Sequence, residues 1–353
     1  MRVSRKVEHL QHALQTGQSG KHGLSDIRFV HQCLPEQSLS SVSLESYIGE
    51  LKLSSPIVIN AMTGGARETE AINRDLAIAA RETGIAMAVG SQMSAIKHPE
   101  VRSSYTIVRE MNPSGLVFAN LGSEATVEQA KMAVDMLRAN ALQIHINPMQ
   151  ELIMPEGDRD FRGVLERIAQ IVRAIDVPVI VKEVGFGMTV EAGKKLHEAG
   201  VSVIDIGGFG GTNFAAIENA RREESIGWLN DWGIPTSCAL LEIGQAILPN
   251  RIIASGGINN ALDLCRALSI GAGAAGLAGT FLKTLNQEGI DAVIQQITNL
   301  NDQLSLIMTG LGASRISDLW HVPMIIGGET AHWCYARGID IRAYAQRQDP
   351  RLK

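Results

Sequence analysis

The stretch PVIVKEVGFGMTVEAGKKLHEAGVSVIDIGG, residues 178–208, holds one complete unit of the pattern that decides the fold. Its β-branched apolar runs at 178–184 and 202–208 predict strands, and the apolar spacing of 189–199 predicts a helix between them. Both runs stay apolar until their last residues, which is typical of parallel strands buried on both faces. The stretch therefore predicts a strand–helix–strand unit with parallel strands.

The same unit recurs on both sides of this stretch. The predicted strands lie at 56–62, 86–90, 117–122, 142–147, 178–184, 202–208, 251–257 and 274–279, and predicted helices include 124–138, 160–174, 189–199 and 261–268. Eight such units close as an α/β fold of the (β/α)8 TIM-barrel type, which usually takes about 250 residues. We therefore predict one domain, with an N-terminal extension at 1–50, a barrel at 51–285 and a C-terminal helical tail at 286–353.

A doubly wound open sheet is the structural alternative, and it usually carries a nucleotide-binding fingerprint after its first strand. The segment GGFGGTN at 207–213 has Asn213 where that fingerprint needs its third glycine. Lys195 follows Gly193 and Lys194, where a P-loop needs serine or threonine. The sequence therefore favours the barrel.

Composition excludes several classes of protein. The 353 residues carry 32 basic and 37 acidic side chains, a net charge of −5, so no overall basic field attracts nucleic acid. No apolar run approaches the about 20 residues that a membrane span needs. The four cysteines, Cys33, Cys238, Cys265 and Cys334, are far apart and form no CxxC pair, which predicts reduced thiols in a cytoplasmic protein.

Polar and small residues gather at the carboxyl ends of the predicted strands, where barrel enzymes place their catalytic groups. At or just after the ends of strands one, two, three and six, these residues are Thr63, Gly64, Gly65, Ser91, Gln92, Asn120 and Thr212. Taken singly, each could instead belong to a turn or cap a helix.

The fourth strand carries the most specific pattern. Gln143, His145 and Asn147 share one face at the two-residue period of a strand, and we expect this face to line the barrel interior. A buried polar group costs about 1–3 kcal/mol unless it is hydrogen-bonded, so this face predicts a ligand, although a histidine satisfied within the core is the alternative. Gln150 and Glu151 follow, and Glu151 is either a functional carboxylate or an exposed loop acid.

The remaining strand ends predict an anion site. Lys182, near the end of strand five, either extends to the barrel rim or presents its ammonium to an anion in the mouth. Gly256 and Gly257 end strand seven, and Ala278 and Gly279 end strand eight. Glycine-rich strand ends at these two positions are the usual phosphate-binding arrangement of barrels that bind phosphate. Together these features predict a flavin mononucleotide (FMN) across the barrel mouth.

The N-terminal motif SRKVEH, residues 4–9, contains Arg5, Lys6 and His9, which are either a solvated basic face or contacts to a second anion. With this motif, the chain resembles the type 2 isopentenyl-diphosphate isomerases from Arg5 almost to its end. The other motifs that carry the resemblance are NAMTGG (60–65), VGSQ (89–92), ANLG (119–122), HINPMQE (145–151), VKEVG (181–185), GGFGGT (207–212), ASGG (254–257) and GGET (327–330).

The resemblance implies an enzyme of isoprenoid biosynthesis that interconverts isopentenyl and dimethylallyl diphosphate by adding and removing protons, with no net redox change. Reduced FMN would be the active form, with NADPH as its reductant and Mg2+ as a further cofactor. The implied FMN contacts are Ala61, Met62, Thr63, Ser91, Asn120, Lys182, Thr212, Gly256, Gly257, Ala278 and Gly279. Lys182 would offset the negative charge of the reduced ring, and either the flavin or Gln150 would be the main acid and base.

The resemblance also implies the substrate contacts. Arg5 and Lys6 would bind the diphosphate, with His9, Asn147 and the catalytic His145 nearby, while Gln150 touches the substrate and Glu151 holds Mg2+. Met93 stands where some members have an arginine, and Lys97 is a candidate replacement. The family forms homo-oligomers, either tetramers or octamers.

Two other functions remain open from the sequence. An FMN-dependent hydroxy-acid oxidase shares the fold, but the HINPMQE segment at 145–151 fits its usual histidine and arginine pair poorly. A flavin-binding protein without turnover would bind FMN and exchange no substrate protons with solvent.

Overall fold

The computed structural model describes residues 21–348. Its strands, in chain order, are β1 (Ile27–Phe29), β2 (Ser46–Ile48), β3 (Leu51–Leu53), β4 (Ile57–Ile59), β5 (Ala86–Ala88), β6 (Val117–Gly122), β7 (Ala141–His145), β8 (Val179–Lys182), β9 (Val203–Asp205), β10 (Ile252–Ser255), β11 (Ala274–Leu277) and β12 (Met324–Ile326). Its α-helices are α1 (Arg67–Thr83), α2 (Met93–Lys97), α3 (Ser103–Met111), α4 (Val127–Leu137), α5 (Pro148–Ile153), α6 (Val164–Ala174), α7 (Val190–Glu198), α8 (Phe214–Asn219), α9 (Thr236–Ile243), α10 (Ala261–Ile270), α11 (Gly279–Glu288), α12 (Ile290–Gly310), α13 (Gly328–Arg337) and α14 (Arg342–Ala345).

Strands β4 to β11 form a closed barrel in which each strand pairs in parallel with the next. The barrel closes between β11 and β4, where Leu277 lies opposite Ile59. The TIM-barrel prediction is therefore confirmed, and the doubly wound sheet is wrong.

Each of the eight predicted strands overlaps one strand of the barrel, but most observed strands are shorter. The prediction 56–62 becomes β4 of three residues, Ile57–Ile59, because the polar and small residues that follow turn into the loops of the mouth. The predicted helix 160–174 likewise begins only at Val164. The long stretches 148–161 and 209–234, between predicted strands, contain the short helices α5 and α8.

A small apolar core fills the amino-terminal end of the barrel. Inward-facing side chains such as Val58, Phe118 and Ile180 pack there against Ile48 and Leu53 of the β2–β3 hairpin. The hairpin backbone joins this end through a 2.6 Å bond from the Gly49 N–H to the carbonyl of Asn250, which precedes β10. The hairpin therefore closes one end of the barrel and leaves the other end for a site.

A larger core lies between the strands and the surrounding helices. On β7, Leu142 and Ile144 belong to this outer core, whereas Gln143 bonds to side chains inside the barrel. The two-residue period of the sequence therefore predicted the two faces of β7 correctly.

The two ends of the described chain are joined to each other. Strand β1 pairs antiparallel with β12, and the Asp26 carboxylate accepts bonds from the backbone N–H of Thr330 at 3.0 Å and from its hydroxyl at 2.8 Å. The C-terminal part thus contains a strand as well as the expected helices. Within residues 21–348, no helix combines the length and the apolar character needed to cross a membrane.

Candidate active site

The predicted site residues that fall in the described chain lie at or just beyond the carboxyl ends of the barrel strands. In chain order they are Ala61, Met62, Thr63, Ser91, Asn120, His145, Asn147, Gln150, Glu151, Lys182, Thr212, Gly256, Gly257, Ala278 and Gly279. The closed barrel brings these ends together at the mouth opposite the β2–β3 hairpin. The predictions for Arg5, Lys6 and His9 fall outside residues 21–348.

The loop after β4 is held from behind by helix α3. The backbone N–H of Gly65 donates to Ser104 Oγ at 2.9 Å, and the ring of Tyr105 lies against Gly64, where any side chain would collide with it. The Tyr105 hydroxyl donates to the carbonyl of Ser91 after β5, and burial raises the pKa of this phenol well above its usual range. One buried, neutral tyrosine therefore ties together the first two loops of the mouth.

Glycines allow the loops after β9 and β10 to touch. A Cβ on Gly256 would collide with the carbonyl oxygen of Gly208, and a Cβ on Gly211 would lie 2.8 Å from the backbone nitrogen of Gly257. Gly256 and Gly257 also have φ values of +115° and +82°, which other residues rarely adopt. Glycine is thus required for contact between two loops of the mouth, in addition to any contact with a ligand.

Helix α11 begins directly after β11 with no capping side chain, because Ala278 occupies the N-cap position. Its first backbone N–H groups lack the side-chain acceptor that Asn260 supplies to helix α10. Such an end attracts an anion by its unpaired N–H groups and by the helix dipole. It lies next to the Gly256 loop because β10 and β11 are paired neighbours.

Lys182 ends β8 and is 8% exposed. Its ammonium donates to the carbonyl of Glu183 at 2.7 Å and lies 4.0 Å from the carboxylate of Asp205 on the next strand. Burial of a lysine requires compensation for its charge, and this carboxylate provides part of it. The structure therefore places the ammonium at the base of the mouth and does not extend it to the rim.

The Glu183 carboxyl organises the loop after β8. It is buried, and its Oε2 accepts bonds from the N–H groups of Val184, Gly185 and Phe186 at 2.6, 2.7 and 2.5 Å. Burial raises its pKa to about 7, while these N–H groups and the neighbouring Lys182 act in the opposite direction. Glu183 thereby fixes the backbone beside Lys182.

Helix α5 carries a cluster of polar side chains above β7. The Asn147 amide donates to Gln150 Oε1 at 3.1 Å and to Glu151 Oε1 at 3.0 Å. Gln150 Nε2 in turn donates at 2.8 Å to the buried carboxylate of Glu218 on α8. The structure thus brings together three residues that the sequence predicted and adds Glu218.

Glu151 is half-buried, and its second oxygen accepts the backbone N–H of Asp158 at 2.9 Å. Among residues 21–348, no three histidine, cysteine or acidic side chains are grouped closely enough to hold a metal ion. A magnesium ion here would take one carboxylate from the described chain and its remaining ligands from phosphate oxygens and water, which suits this cation.

Sequence reasoning missed several residues of the site. Asn60 and Asp205 interrupt apolar strands, and this was a signal that their side chains face the barrel interior. Tyr105 and Glu218 lie outside the strands and had no such signal. Met93 is buried in α2, and Lys97 is exposed at the end of the same helix.

Residues 93–324 match the FMN-dependent dehydrogenase family. An isopentenyl-diphosphate delta-isomerase from Geobacillus sp. (strain WCH70) is 53% identical over 347 residues, which is 98% of this chain and 99% of that protein. The protein of the same name from Bacillus licheniformis is 55% identical, with the same coverage of both chains. The chain belongs to the type 2, FMN-dependent isopentenyl-diphosphate delta-isomerases.

Solved structures of other flavoproteins share the fold of this isomerase family member. A lactate oxidase from Pediococcus acidilactici superposes with a TM-score of 0.66 at 17% identity, over 90% of this chain and 87% of that one. A flavocytochrome b2 variant gives the same TM-score at 18% identity, over 90% and 83% of the two chains. At these identities the likeness concerns the fold alone.

The donor set of the mouth fits the FMN of this isomerase family. A buried ammonium at Lys182, an uncapped helix end at Gly279 and two glycine loops offer contacts for an anionic ring and a phosphate. The side chains of Thr63, after β4, and Asn120, in β6, add further hydrogen-bonding groups. The residues present therefore suit the cofactor that the family match indicates.

Proposed function

We propose that this protein interconverts isopentenyl diphosphate and dimethylallyl diphosphate at reduced FMN, in isoprenoid biosynthesis. The observation that carries the proposal is the full-length similarity to proteins of that name, at more than half identity. The mouth also carries a polar cluster made of Asn147, Gln150 and Glu151. This cluster suits a substrate that has both a diphosphate group and an alkene.

The isomerisation adds a proton to the alkene and removes one from an allylic carbon. An allylic C–H is very weakly acidic, so the transition state gains cationic character and needs a positioned proton donor and electron-rich surroundings. Reduced FMN, when bound, supplies an electron-rich ring that can exchange protons. The protein must therefore hold the ring, hold the diphosphate and exclude water between them.

The FMN contacts that we propose are those already located at the mouth, namely Ala61, Met62, Thr63, Ser91, Asn120, Lys182, Thr212, Gly256, Gly257, Ala278 and Gly279. The ammonium of Lys182 offsets the negative charge of a reduced ring. The helix end at Gly279 and the Gly256 loop receive the cofactor phosphate.

Gln150 is the protein group that we place against the alkene. Its amide is held on both sides, by Asn147 and by Glu218, so it can position a proton without freedom to rotate. We assign Arg5, Lys6, His9, Asn147 and His145 to the diphosphate. Glu151 then holds the Mg2+ that the diphosphate carries, since hard cations prefer carboxylate oxygens.

We further propose NADPH as the reductant, a cytoplasmic homo-oligomer, and a single domain in which residues 1–50 contribute substrate contacts to the barrel. All four cysteines carry free thiols, and three of them are buried. Burial raises the pKa of Cys265 to about 12, which keeps this thiol unreactive. Free thiols support a reducing compartment.

The test is to incubate the protein with FMN, NADPH, Mg2+ and isopentenyl diphosphate without oxygen and to measure dimethylallyl diphosphate. We expect product only with reduced FMN, together with incorporation of solvent deuterium into the product. Equal turnover with oxidised FMN and no reductant would contradict the mechanism. Oxidation of a hydroxy acid with loss of flavin colour would favour the oxidase, and FMN binding without proton exchange would favour a binding protein.

A further inference from the structure

We propose that Gln143 is a positioning residue that fixes which nitrogen of His145 carries a proton. It does so as the central link of a chain of side-chain amides anchored on Asp205. The catalytic meaning of this inference rests on the proposed function, in which His145 lies in the substrate site.

The anchor is a carboxylate inside the barrel. Asp205 ends β9 with no exposed surface, where an ionised group requires strong compensation. Its Oδ1 accepts a bond from the Ser255 hydroxyl and one from the Gly207 N–H at 3.3 Å. Its Oδ2 accepts a 2.7 Å bond from the Asn60 amide and lies 4.0 Å from the Lys182 ammonium.

Three amides continue from this anchor across the barrel. We call Asn60, Gln143 and Asn120 the interior amide chain. Gln143 Nε2 donates to Asn60 Oδ1 at 3.1 Å, and Asn120 Nδ2 donates to Gln143 Oε1 at 3.1 Å. Asn120 Oδ1 then lies 3.0 Å from Nδ1 of His145. The chain therefore connects the surroundings of Lys182 with His145.

Every hydrogen bond of the interior amide chain has the same direction, with each NH2 group donating toward Asp205. A carboxylate only accepts, so Asn60 must turn its NH2 group toward Asp205 and its carbonyl toward Gln143. The backbone N–H of Ala61 donates to the same Asn60 oxygen at 2.9 Å and fixes that orientation independently. Gln143 must then present its NH2 group to Asn60 and its carbonyl to Asn120.

The direction of these bonds determines which nitrogen of the His145 imidazole carries a hydrogen. Asn120 uses its NH2 group on Gln143, so the atom that it offers to His145 is a carbonyl oxygen, which only accepts. Nδ1 of His145 must therefore carry the hydrogen. In the neutral ring Nε2 then holds the lone pair, and in the cation Nδ1 keeps its proton.

The inference is tested by 15N spectra of protein labelled at histidine, recorded without FMN or substrate, with the His145 signal assigned by its loss in His145→Gln. We expect wild-type protein to show a protonated Nδ1 in the neutral ring. Gln143→Met replaces the amide by an apolar side chain of similar length and cuts the chain. In this variant we expect the Nδ1 signal to shift toward a mixture of tautomers.

Two further variants separate this effect from a loss of packing. Gln143→Glu keeps an acceptor for Asn120, so we expect the wild-type tautomer to return. Gln170→Met, at an exposed glutamine of α6, should leave the His145 signals unchanged. An unchanged Nδ1 signal in Gln143→Met, or an unprotonated Nδ1 in wild-type protein, overturns the inference. Should Gln143→Glu fail to fold, the comparison between wild type and Gln143→Met still decides.

A kinetic measurement connects the tautomer with catalysis. We expect Gln143→Met to lower kcat/KM for isopentenyl diphosphate by about 10-fold or more at saturating FMN, as loss of an orienting partner does at metal-bound histidines. If wild-type protein shows no isomerisation, the proposed function is wrong, but the 15N spectra still test the interior amide chain. If wild-type protein isomerises the substrate and the His145 tautomer is unchanged in Gln143→Met, only the inference about the interior amide chain is wrong.

Discussion

The amide of Gln150 donates a 2.8 Å hydrogen bond to the carboxylate of Glu218, which approaches it from helix α8. The other oxygen of Glu218 accepts a 2.6 Å bond from Arg221, and Arg221 reaches on to Glu156 near the surface at 2.6 Å. Glu218 has no exposed surface, and Arg221 and the Gln150 amide each compensate part of its charge. The orientation of Gln150 therefore depends on Glu218, a residue of another helix.

Glu218→Gln should therefore lower turnover. The new amide must turn its NH2 group toward either the Gln150 NH2 group or Arg221, both of which are donors, so one hydrogen bond is lost. The resulting displacement of Gln150 should lower kcat by about 100-fold. Glu156→Gln changes the outer end of the same series of residues and should retain nearly full activity. The measurement is kcat with reduced FMN for both variants, together with FMN affinity. Equal kcat in the two variants would remove Glu218 from the positioning of Gln150.

Lys182→Met should abolish turnover or weaken FMN binding without unfolding the barrel. The methionine retains the apolar part of the side chain but removes a charge that stabilises an anion in a buried site, which commonly costs about 2–4 kcal/mol. Lys131→Met, at an exposed position of α4, is the matched control. Flavin titration and circular dichroism on both variants check this, and wild-type affinity and turnover in Lys182→Met would refute the assignment.

Gly256→Ala should destabilise the mouth specifically. Its Cβ would collide with the carbonyl of Gly208 and lie 2.6 Å from the Thr236 hydroxyl oxygen. Gly289→Ala is a control with a comparable φ of +88° and no heavy atom within 4 Å of the new Cβ. Both should lose about 1–3 kcal/mol to backbone strain, but only Gly256→Ala should also weaken FMN binding. Equal FMN affinity for the two variants would show that contact between the loops is irrelevant to the cofactor.

The sequence predicted the barrel because each strand core is an apolar run that stands out from amphipathic helices. It did not predict the β2–β3 hairpin, whose strands have three residues each, too few to show a period of two. The pairing of β1 with β12 was equally invisible, since it joins opposite ends of the described chain through short segments. Local patterns report local structure, and these elements depend on contacts between distant segments.

The same distinction applies to the site. Lys182 and His145 could be found because a charged or polar residue in an apolar strand needs a hydrogen-bonding or charged partner. Glu218 could not be found, since an acidic residue in a polar loop is ordinarily exposed. Only the packing of α8 against α5 shows that its carboxylate is buried next to Gln150.

Glu183 should make stability depend on pH. Burial raises its pKa to about 7 from a usual value of 4.5, so between these values the folded protein retains a proton that the unfolded chain releases. The stability from this group is full below the unfolded value and is lost as pH rises through about 7, with a slope of up to about 1.4 kcal/mol per pH unit. Glu183→Gln should flatten this part of the Tm profile between pH 5 and 8, whereas Glu198→Gln, at an exposed site, should not. Parallel profiles for wild type and Glu183→Gln would contradict it.

Glu151 and Gln150 are adjacent in sequence but should respond differently to magnesium. Glu151→Gln keeps the size of the side chain and an acceptor for the Asn147 amide, but it loses the acceptor for the Asp158 N–H and the charge that a hard cation prefers. Its activity should fall, and added Mg2+ should restore part of it, because mass action can offset a weakened ligand. Gln150→Ala removes an amide that we place at the alkene, so its activity should fall without such rescue. FMN affinity should stay unchanged in both variants, since the proposed cofactor contacts do not include these side chains.

The measurement is a Mg2+ titration of the initial rate for wild type and both variants. If the two variants give titration curves with the wild-type midpoint and the wild-type maximum, neither role is correct, and if Gln150→Ala is the one that Mg2+ rescues, the two roles are exchanged.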